Sequence, residues 1–501
     1  MSELPENWVE TTVGEVTLPI AKINQTKDVN KKIYYIDISS IDNKSHKVTG
    51  GKSYTISEAP SRARQIIKSG DVLFLTVRPY LRNIAAVPKS LNGEIASTGF
   101  SVLRPANEIE PQYLFHLCIS TPFVNKLSGI QYGVSYPAVK DEQVREQTFP
   151  LPPKNEQKRI VEKIEELFSQ IDAGEAALKK AQALIKQYRQ SLLKAAVTGE
   201  LTKEWREKNK GKIEPADKLL ARILTERRKA FNGRGEYKDP TLPNRPNLSE
   251  LPKVWEWTTL DAVTSFITSG SRGWAQYYST EGSRFYRVGN LNRLTIEIDT
   301  EDLQRVSPPC NAEGLRTKVS KNDILLSITA DVGMVGLASD TSEDAYINQH
   351  LALCRPVNEK TAEFISWALA SDTTQRQLNN KKSGITKDGL TLIDVRNIFV
   401  PLPPLKEQET ISDLLRLALS QLDHFHKQMI LTHRLFQAER QSILKAAFSG
   451  KLVPQDAKDE PASVLLDRIK AERASTSNKA TKSTSKQKKP AATSPRKRVS
   501  K

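Results

Sequence analysis

Apolar residues recur at alternating steps of four and three residues along a long stretch in the middle of the chain. This first seam consists of Ile160, Ile164, Leu167, Ile171, Gly174, Leu178, Ala181, Ile185, Tyr188 and Leu192. A heptad pattern sustained over more than four heptads predicts one continuous helix with a coiled-coil face, from about Lys154 to Val197. At about 1.5 Å per residue, such a helix measures roughly 65 Å. Gly199 suits the left-handed position that often follows a helix end.

The same segment returns 251 residues later. Residues 150–201 and 401–452 align without a gap and share 20 identities in 52 positions. The second seam consists of Ile411, Leu415, Ala418, Leu422, Phe425, Met429, Phe436 and Ile443, interrupted by Thr432 and Glu439. Duplicated units usually pair about a pseudo-two-fold axis, so we expect the two helices to cover both seams as an antiparallel pair within the chain. The alternative is that each helix pairs with another molecule.

Four apolar residues of the second helix lie off its seam. They are Leu414, Leu417, Ile430 and Leu431. A helix that is apolar over more than one stripe must be covered by something. Either a partner protein or the helix's own globular domain can cover it, and the sequence leaves both possibilities open.

About 150 residues of mixed pattern precede each helix. They include strand-like runs at 71–77 and 323–328, and each region begins with Leu-Pro-x-x-Trp, which places Trp8 and Trp255 at corresponding positions. Short strands mixed with helical segments predict an α+β unit. Inside these units the two halves align poorly, although the long helices align well. A duplicated scaffold with diverged globular parts suggests two readers of different targets.

The charge balance points to a nucleic-acid partner. The 75 Lys and Arg residues exceed the 58 Asp and Glu residues, which gives a formal net charge of +17. Residues 474–501 hold nine basic and no acidic residues, and their Ser, Thr, Lys and Pro content predicts disorder. This tail either attracts phosphates without sequence preference or only keeps the protein soluble.

Other sequence features exclude several protein classes. No apolar run is long enough for a membrane span and the start does not look like a signal peptide, so we expect no membrane association and a cytoplasmic protein. Cys118, Cys310 and Cys354 lack metal-site spacing and are expected to be buried thiols.

Two PLPP-x-x-EQ segments, which begin at Pro150 and Pro401, each open a long helix. Those helices end in Ser-Leu-Leu-Lys-Ala-Ala and Ser-Ile-Leu-Lys-Ala-Ala. Together with the Leu-Pro-x-x-Trp starts, this duplicated combination resembles the specificity subunits of type I restriction-modification systems, which take part in host defence, and it covers about 470 residues. The resemblance implies a noncatalytic subunit that binds double-stranded DNA at a two-part, asymmetric site with a nonspecific gap. Family members tune that gap near the end of the first helix, here residues 198–201.

The resemblance also implies partners. Two modification subunits bring S-adenosylmethionine and methylate adenine, and two optional restriction subunits add ATP, Mg and DNA cleavage. No cofactor and no metal is expected on this chain itself. The fold class implied is α+β, with two target-recognition domains, each followed by a long helix, and with the helices paired as an antiparallel coiled coil.

The predicted domain organisation follows from the duplication. Its segments are a first target-recognition domain (1–153), a central spacer helix (154–201), a helical connector and linker (202–247), a second target-recognition domain (248–404), a distal spacer helix (405–452), a C-terminal helical segment (453–473) and a disordered basic tail (474–501).

No catalytic motif is complete. Gly51-Lys52-Ser53 resembles the end of a P-loop, but His46 stands where the first glycine of that motif belongs. The segment 307–310, Ser-Pro-Pro-Cys, lacks the aromatic residue with which amino-methyltransferases stack a flipped base. The six histidines, with His424 and His426 nearest each other, show no zinc-site spacing. We therefore predict no catalytic residues; the alternatives are a stand-alone DNA methyltransferase or nuclease, and a coiled-coil adaptor that does not bind DNA.

Base readout calls for Arg, Lys, Asn, Gln and Ser side chains on loops that reach the major groove. In the first domain the candidates are Arg62, Arg64, Arg78, Tyr80, Arg82, Gln131, Tyr132, Ser135 and Tyr136. In the second domain they are Ser271, Arg272, Trp274, Arg284, Arg287, Asn290, Lys381, Lys382 and Lys387. For any single arginine among them, a solvated charge or a surface ion pair is the simpler interpretation.

Overall fold

The structure, a computed structural model, divides into two units. One comprises Met1–Leu178 and Leu431–Lys501, and the other comprises Lys179–Ile430. The residues it describes are 4–24, 26, 29–129, 137–231, 236–240, 243, 248–310, 312–340, 342–381 and 389–485. Strands and helices are mixed throughout, which confirms the α+β prediction. Among the described helices, none is both long and apolar enough to cross a membrane.

Up to residue 198, the described residues of the chain form short strands and four α-helices. The strands are β1 (Val9–Thr12), β2 (Thr17–Leu18), β3 (Lys32–Ile36), β4 (Ile41–Asp42), β5 (Lys47–Val48), β6 (Lys52–Thr55), β7 (Ala63–Ile66), β8 (Val72–Leu75), β9 (Ile84–Ala86), β10 (Ile95–Ser97), β11 (Phe100–Pro105) and β12 (Thr148–Leu151). The helices are α1 (Pro111–Ile119), α2 (Thr121–Ser128), α3 (Asp141–Arg145) and α4 (Lys154–Thr198).

The second half also leads from short strands to a long helix, after a helical connector. The connector helices are α5 (Lys203–Lys208) and α6 (Ala216–Lys229). The strands are β13 (Glu256–Thr259), β14 (Thr264–Ser269), β15 (Tyr278–Ser279), β16 (Ser283–Tyr286), β17 (Gln304–Val306), β18 (Ile324–Ser327), β19 (Val335–Leu337), β20 (Ala345–Ile347), β21 (Leu351–Pro356) and β22 (Phe399–Leu402). The helices are α7 (Leu260–Val263), α8 (Ala312–Thr317), α9 (Ala362–Ala370), α10 (Asp372–Lys381), α11 (Leu392–Arg396), α12 (Leu405–Ala447) and α13 (Ala462–Ser485).

The two globular domains have corresponding sheets although their sequences align poorly. An antiparallel sheet has the order β2-β11-β8-β9 in the first domain and β14-β21-β18-β19 in the second. A second sheet contains one parallel pair in each domain, β3 with β10 and β16 with β20. A two-stranded ladder, β1 with β12 or β13 with β22, joins the start of each domain to the strand before its long helix. The duplication therefore extends through the domains.

The repeated sequence motifs meet in the folded chain. The indole Nε1 of Trp8 donates a hydrogen bond of 3.0 Å to Glu156, and that of Trp255 donates one of 2.9 Å to Glu407. All four side chains are buried. Each Leu-Pro-x-x-Trp start is thus bound to the first turn of the long helix that follows its own domain.

The glutamine of each PLPP-x-x-EQ motif holds the proline segment in place. The Nε2 of Gln157 donates to the carbonyl of Pro152 at 3.1 Å, and that of Gln408 donates to Pro403 at 2.7 Å. These side-chain bonds satisfy two buried backbone carbonyls at the strand-to-helix junctions.

The long helices α4 and α12 run antiparallel within each unit. In the first unit, Phe436 lies against Gly174, and the Arg440 guanidinium contacts Asp172 and, at 3.5 Å, Glu175. The paired residue numbers rise on α4 while they fall on α12, as an antiparallel pair requires. In the second unit, Arg189 of α4 lies 3.8 Å from Asp423 of α12. This confirms the predicted pairing within the chain.

The seams are only partly buried. Ile160, Ile164 and Ile171 are buried, but Tyr188 is 55% exposed and Phe425 is 57% exposed. The heptad prediction was therefore wrong at these two positions, because the neighbouring helix does not cover them. The four off-seam residues of α12, from Leu414 to Leu431, are also exposed among the described residues.

A left-handed glycine packed against a proline follows each long helix, directly after α4 and three residues after the end of α12. Gly199 has φ +81°, and a Cβ there would lie 2.5 Å from Pro252; Gly450 has φ +70°, and a Cβ would lie 2.5 Å from Pro5. Helix α13 follows this second end. It extends to Ser485, beyond residue 474 where the sequence predicted disorder.

Candidate nucleic-acid interface

An ion pair with a buried carboxylate fixes the strand that leads into the main candidate loop of each domain. Arg104 on β11 donates hydrogen bonds of 2.9 and 2.7 Å to Asp71, just before β8. Arg355 on β21 donates bonds of 2.8 and 2.7 Å to Asp323, just before β18. Burial raises the pKa of Asp323 although Arg355 opposes the shift. The two hydrogen bonds of each Arg–Asp pair hold β8 in register with β11 and β18 in register with β21. The loops at the far ends of β8 and β18 therefore have defined positions.

The loop between β8 and β9 carries several predicted contact residues. Tyr80 and Leu81 are 48% and 40% exposed. Arg78 and Arg82 both adopt left-handed backbone angles, with φ of 50° and 55°. The Nη2 of Arg82 donates to the Thr121 hydroxyl at 2.9 Å, and burial lowers the pKa of this guanidinium. Arg82 is therefore partly engaged within the domain, whereas Tyr80 is presented to solvent.

Backbone hydrogen bonds bring other candidates to the same edge of the first domain. The Thr98 amide donates to the carbonyl of Arg62, and the Thr76 amide donates to Gly99. The Arg78 amide donates to the carbonyl of Pro137, directly after the predicted polar loop. Arg62 is exposed. Arg64 is half-buried, and its Nε donates to the carbonyl of Ser61. The predicted residues Gln131, Tyr132, Ser135 and Tyr136 lie outside the described residues.

The second domain forms a corresponding edge. Ala330, after β18, is left-handed with φ 66°, and Thr329 bridges to Gly389. Thr329 shares a hydrogen bond with the Nδ1 of His350, whose Nε2 is 2.9 Å from the side-chain nitrogen of Gln349. Both Gln349 and His350 are half-buried.

Sequence reasoning missed Gln349 and His350. If the two domains are aligned at their shared Arg-Pro pairs, which begin at 104 and 355, Gln349 and His350 correspond to Thr98 and Gly99 of the first domain. That offset was available from the sequence, but the segment contains no arginine or lysine to draw attention to it.

The loop after β14 passes directly over this edge. A Cβ at Gly270 would lie 2.3 Å from the backbone carbon of Asn348, so only glycine fits there. The next residues, Ser271 and Arg272, follow at once, and Arg272 is exposed. The Ser271 hydroxyl accepts a hydrogen bond of 2.8 Å from Arg316. The structure thus brings Ser271 and Arg272 beside the 348–350 segment.

Three predicted contact residues of the second domain are turned inward. Trp274 is 2% exposed, stacks on Phe285 and donates to Glu313 at 2.6 Å. Arg284 is buried and donates to Asp340 at 2.7 Å, which raises its pKa. Asn290 is buried and bonds to backbone atoms, including the Arg287 amide. In this conformation all three side chains are buried and bonded within the domain, although the Asp340 partner of Arg284 is itself exposed.

The remaining candidates fall into two groups. Arg287 is half-buried and lines a cavity of about 330 Å³ together with Asn348. Lys381 ends helix α10, and the structure does not describe its side chain; Lys382 and Lys387 lie outside the described residues. DNA contact by any individual residue remains a prediction.

A family model described as the type I restriction modification DNA specificity domain matches residues 5–182 and 312–430. The chain belongs to this family. The EcoBI specificity subunit of Escherichia coli is 30% identical over 369 residues, which cover 70% of this chain and 71% of that protein. The EcoKI specificity subunit of Escherichia coli strain K12 is 24% identical over 508 residues, or 95% and 98% of the two chains.

Solved structures are similar as well. One similar chain comes from a structure that concerns complex assembly and conformational transition of the type I R-M system. It has a TM-score of 0.70 and 30% identity, and the match covers 90% of this chain and 100% of that one. The HsdS subunit from Thermoanaerobacter tengcongensis has a TM-score of 0.54 and 30% identity, with 90% and 98% coverage. The chain is thus a DNA-recognition subunit of the type I specificity family, and its relatives are named as specificity subunits rather than as catalytic ones.

The incomplete catalytic motifs have structural roles in this type I specificity subunit. Lys52 and Ser53 lie in strand β6 and pair with β3, so they do not form a phosphate-binding loop before a helix.

Cys118 and Cys354 are buried, and burial raises the pKa of both thiols. Cys310 is exposed, contrary to the expectation of a buried thiol. Among the described residues, no cluster of three potential metal ligands is found.

Proposed function

We propose that this specificity subunit reads a two-part, asymmetric site in double-stranded DNA, with residues 1–153 at one half-site and residues 248–404 at the other. The observation that carries the proposal is that the two domains share sheet orders but differ in the side chains at corresponding loops. Arg78 corresponds to Ala330, and Gly99 corresponds to His350. Two domains with the same sheets but different side chains in their loops are suited to read two different base sequences.

The long helices would set the gap between the half-sites. Helices α4 and α12 span 45 and 43 residues, and rigid helices hold what they carry at a fixed spacing and rotation. An insertion at residues 198–201 would lengthen α4 and so alter both the spacing and the rotation between the half-sites.

The methylation and restriction chemistry would come from partner subunits in the cytoplasm. Two modification subunits would supply S-adenosylmethionine and methylate adenine, and two optional restriction subunits would supply ATP and Mg-dependent cleavage; this chain would bind none of these cofactors. The exposed apolar side chains of α12, such as Leu417, favour docking of a partner protein on that helix.

The deciding experiment is modified-base sequencing of DNA from cells that express this chain together with its modification subunit. We expect methylated adenine in a motif of two unlike halves with a fixed gap. A continuous or palindromic motif would contradict the proposal. Purified chain alone, incubated with labelled S-adenosylmethionine and DNA, should transfer no methyl group; transfer would favour the stand-alone methyltransferase.

A domain exchange tests the division between the two readers. Replacing residues 1–150 by those of a relative should change one half of the methylated motif and leave the other half and the gap unchanged. A change in both halves would show that the domains do not read independently.

A further inference from the structure

A cleft lies between helix α4 and the second target-recognition domain, within the unit Lys179–Ile430. Its volume is about 330 Å³. Its walls include Leu193, Met334 and Trp367, and its charged residues include Lys186 and Arg189. Lys186 is exposed, whereas the side chain of Arg189 is only 8% exposed. The cleft therefore combines apolar walls with a deeply placed cation.

Arg189 lacks the partners that a buried arginine normally has. Its Nε is buried and has no acceptor among the described residues, and the nearest carboxylate, that of Asp423, is 3.8 Å away and 45% exposed. The indole Nε1 of Trp367, in the same cleft, is likewise buried without an acceptor among these residues. A guanidinium cannot lose its proton at ordinary pH, so burying it without an anion is unfavourable. Two buried donors in one cleft call for an acceptor from outside the chain.

The duplication supplies an internal comparison. Arg440 stands 251 residues after Arg189 and is fully engaged: it pairs with Asp172 and Glu175, and its guanidinium lies 4.9 Å from the ring centre of Phe168. At the positions that correspond to these three partners, the second copy has Asp423, His426 and Leu419. The second carboxylate and the aromatic ring are thus replaced around Arg189, while the arginine itself is retained.

The chemistry of the cleft favours a carboxylate over a DNA phosphate. Duplex phosphates are contacted by exposed basic side chains, whereas Arg189 lies below apolar walls. One acidic residue, Asp372, also lines the cleft, and it is exposed. An aspartate or glutamate flanked by apolar residues fits this surface, because its carboxylate can reach Arg189 while its neighbours contact the apolar walls of the cleft.

We propose that this cleft binds the carboxylate of an aspartate or glutamate, flanked by apolar residues, on the modification subunit that assembles with this chain. The inference rests on the function proposed above. It assigns Arg189 and Trp367 to the recognition of a protein partner.

The test compares Arg189→Leu with Lys180→Leu, a control that removes one positive charge from an exposed site on the same helix. Titration of each full-length chain with purified modification subunit should show at least tenfold weaker binding for Arg189→Leu and unchanged binding for Lys180→Leu. The thermal unfolding temperature of the free Arg189→Leu chain should stay equal or rise, because a buried charge without a close partner is removed.

Several outcomes would overturn the inference. Unchanged affinity of Arg189→Leu for the modification subunit would do so, and so would a lowered unfolding temperature, which would indicate a purely structural arginine. Reduced DNA affinity with a smaller salt dependence would assign the cleft to a phosphate instead. If the wild-type chain failed to bind the modification subunit, the proposed function would fail too; if that binding and the methylated motif persisted, only the role of Arg189 would be refuted.

Discussion

At the scale of single residues, the repeated motifs are explained by the contacts they make with each other. The tryptophan of each domain start donates to the glutamate at the start of the following helix. The two glutamates then differ in their other partners. Glu407 also accepts hydrogen bonds from Arg206 and Thr202, whereas Glu156 accepts one from the neutral amide of Gln455. The same motif therefore holds a cation-paired carboxylate in one copy and a carboxylate bonded to neutral donors in the other.

The surroundings of Glu156 predict a pH-dependent stability. Glu156 is buried, and burial raises its pKa above 4.5, although Trp8, Gln455 and Arg159 oppose the shift. A carboxyl group with a raised pKa binds its proton more tightly in the folded state, so its contribution to stability falls as the pH rises above about 4.5. Glu156→Gln removes the titration. The quantity to compare is the unfolding free energy of the wild type minus that of Glu156→Gln. We expect this difference to decrease as the pH rises from about 4 to about 7.

Urea unfolding of both proteins across this range measures the difference. The absolute effect of Glu156→Gln is not decisive, because glutamine cannot accept from both donors; only the pH dependence tests the argument. A constant difference, or one that grows with pH, would show that Glu156 does not titrate as expected.

At the scale of elements, the glycine that follows each long helix packs against the proline of a domain start. Gly199 combines a positive φ with a contact that leaves no room for a Cβ next to Pro252. Gly211 provides a matched comparison, because it has φ +79° but no heavy atom within 4 Å of its hypothetical Cβ. Alanine substitutions at these two glycines therefore separate the cost of a left-handed backbone from the cost of the contact with Pro252.

We expect Gly211→Ala to lower the unfolding free energy by about 1 kcal/mol, the usual cost of a left-handed backbone for an L-residue. Gly199→Ala should lower it by about 2 kcal/mol more, because Pro252 must also move. Denaturant unfolding of the two variants measures both values. Equal losses would mean that the contact with Pro252 adjusts without cost.

At the scale of the whole molecule, the segment after each long helix packs on a domain start within its unit. The amide of Ala216, on α6, donates to the carbonyl of Val254, and the amide of Ala462, on α13, donates to the carbonyl of Asn7. Leu466 and Ile469 of α13 are buried in the core of the first unit. Helix α13 is therefore a structural part of that unit.

Deleting residues 453–501 should destabilise the unit that contains the first domain. The loss should be about 6 kcal/mol, since the three buried side chains of Leu465, Leu466 and Ile469 are each worth roughly 2 kcal/mol. Deleting only residues 486–501 is the control and should leave unfolding unchanged. Differential scanning calorimetry tests both; an unaltered profile for the longer deletion would show that α13 does not support the domain.

The sequence by itself determined the long helices, their duplication and the α+β character of the domains. Heptad spacing and the shared PLPP-x-x-EQ motifs are local signals, and they do not depend on distant residues. The seam was predicted correctly where its residues are buried in the core of the first unit, as at Ile160 and Ile164. It failed at Tyr188 and Phe425, because periodicity cannot tell which part of an apolar stripe finds a neighbour.

Only the tertiary structure decided which polar residues face outward at the candidate interface. Trp274 and Arg284 looked suited to DNA contact, but both side chains are buried and bonded within the domain, to Glu313 and Asp340. His350, which drew no attention in the sequence, lies at the domain edge beside Thr329. Burial and pairing arise from residues far apart in the chain, so residue type and local spacing do not determine them.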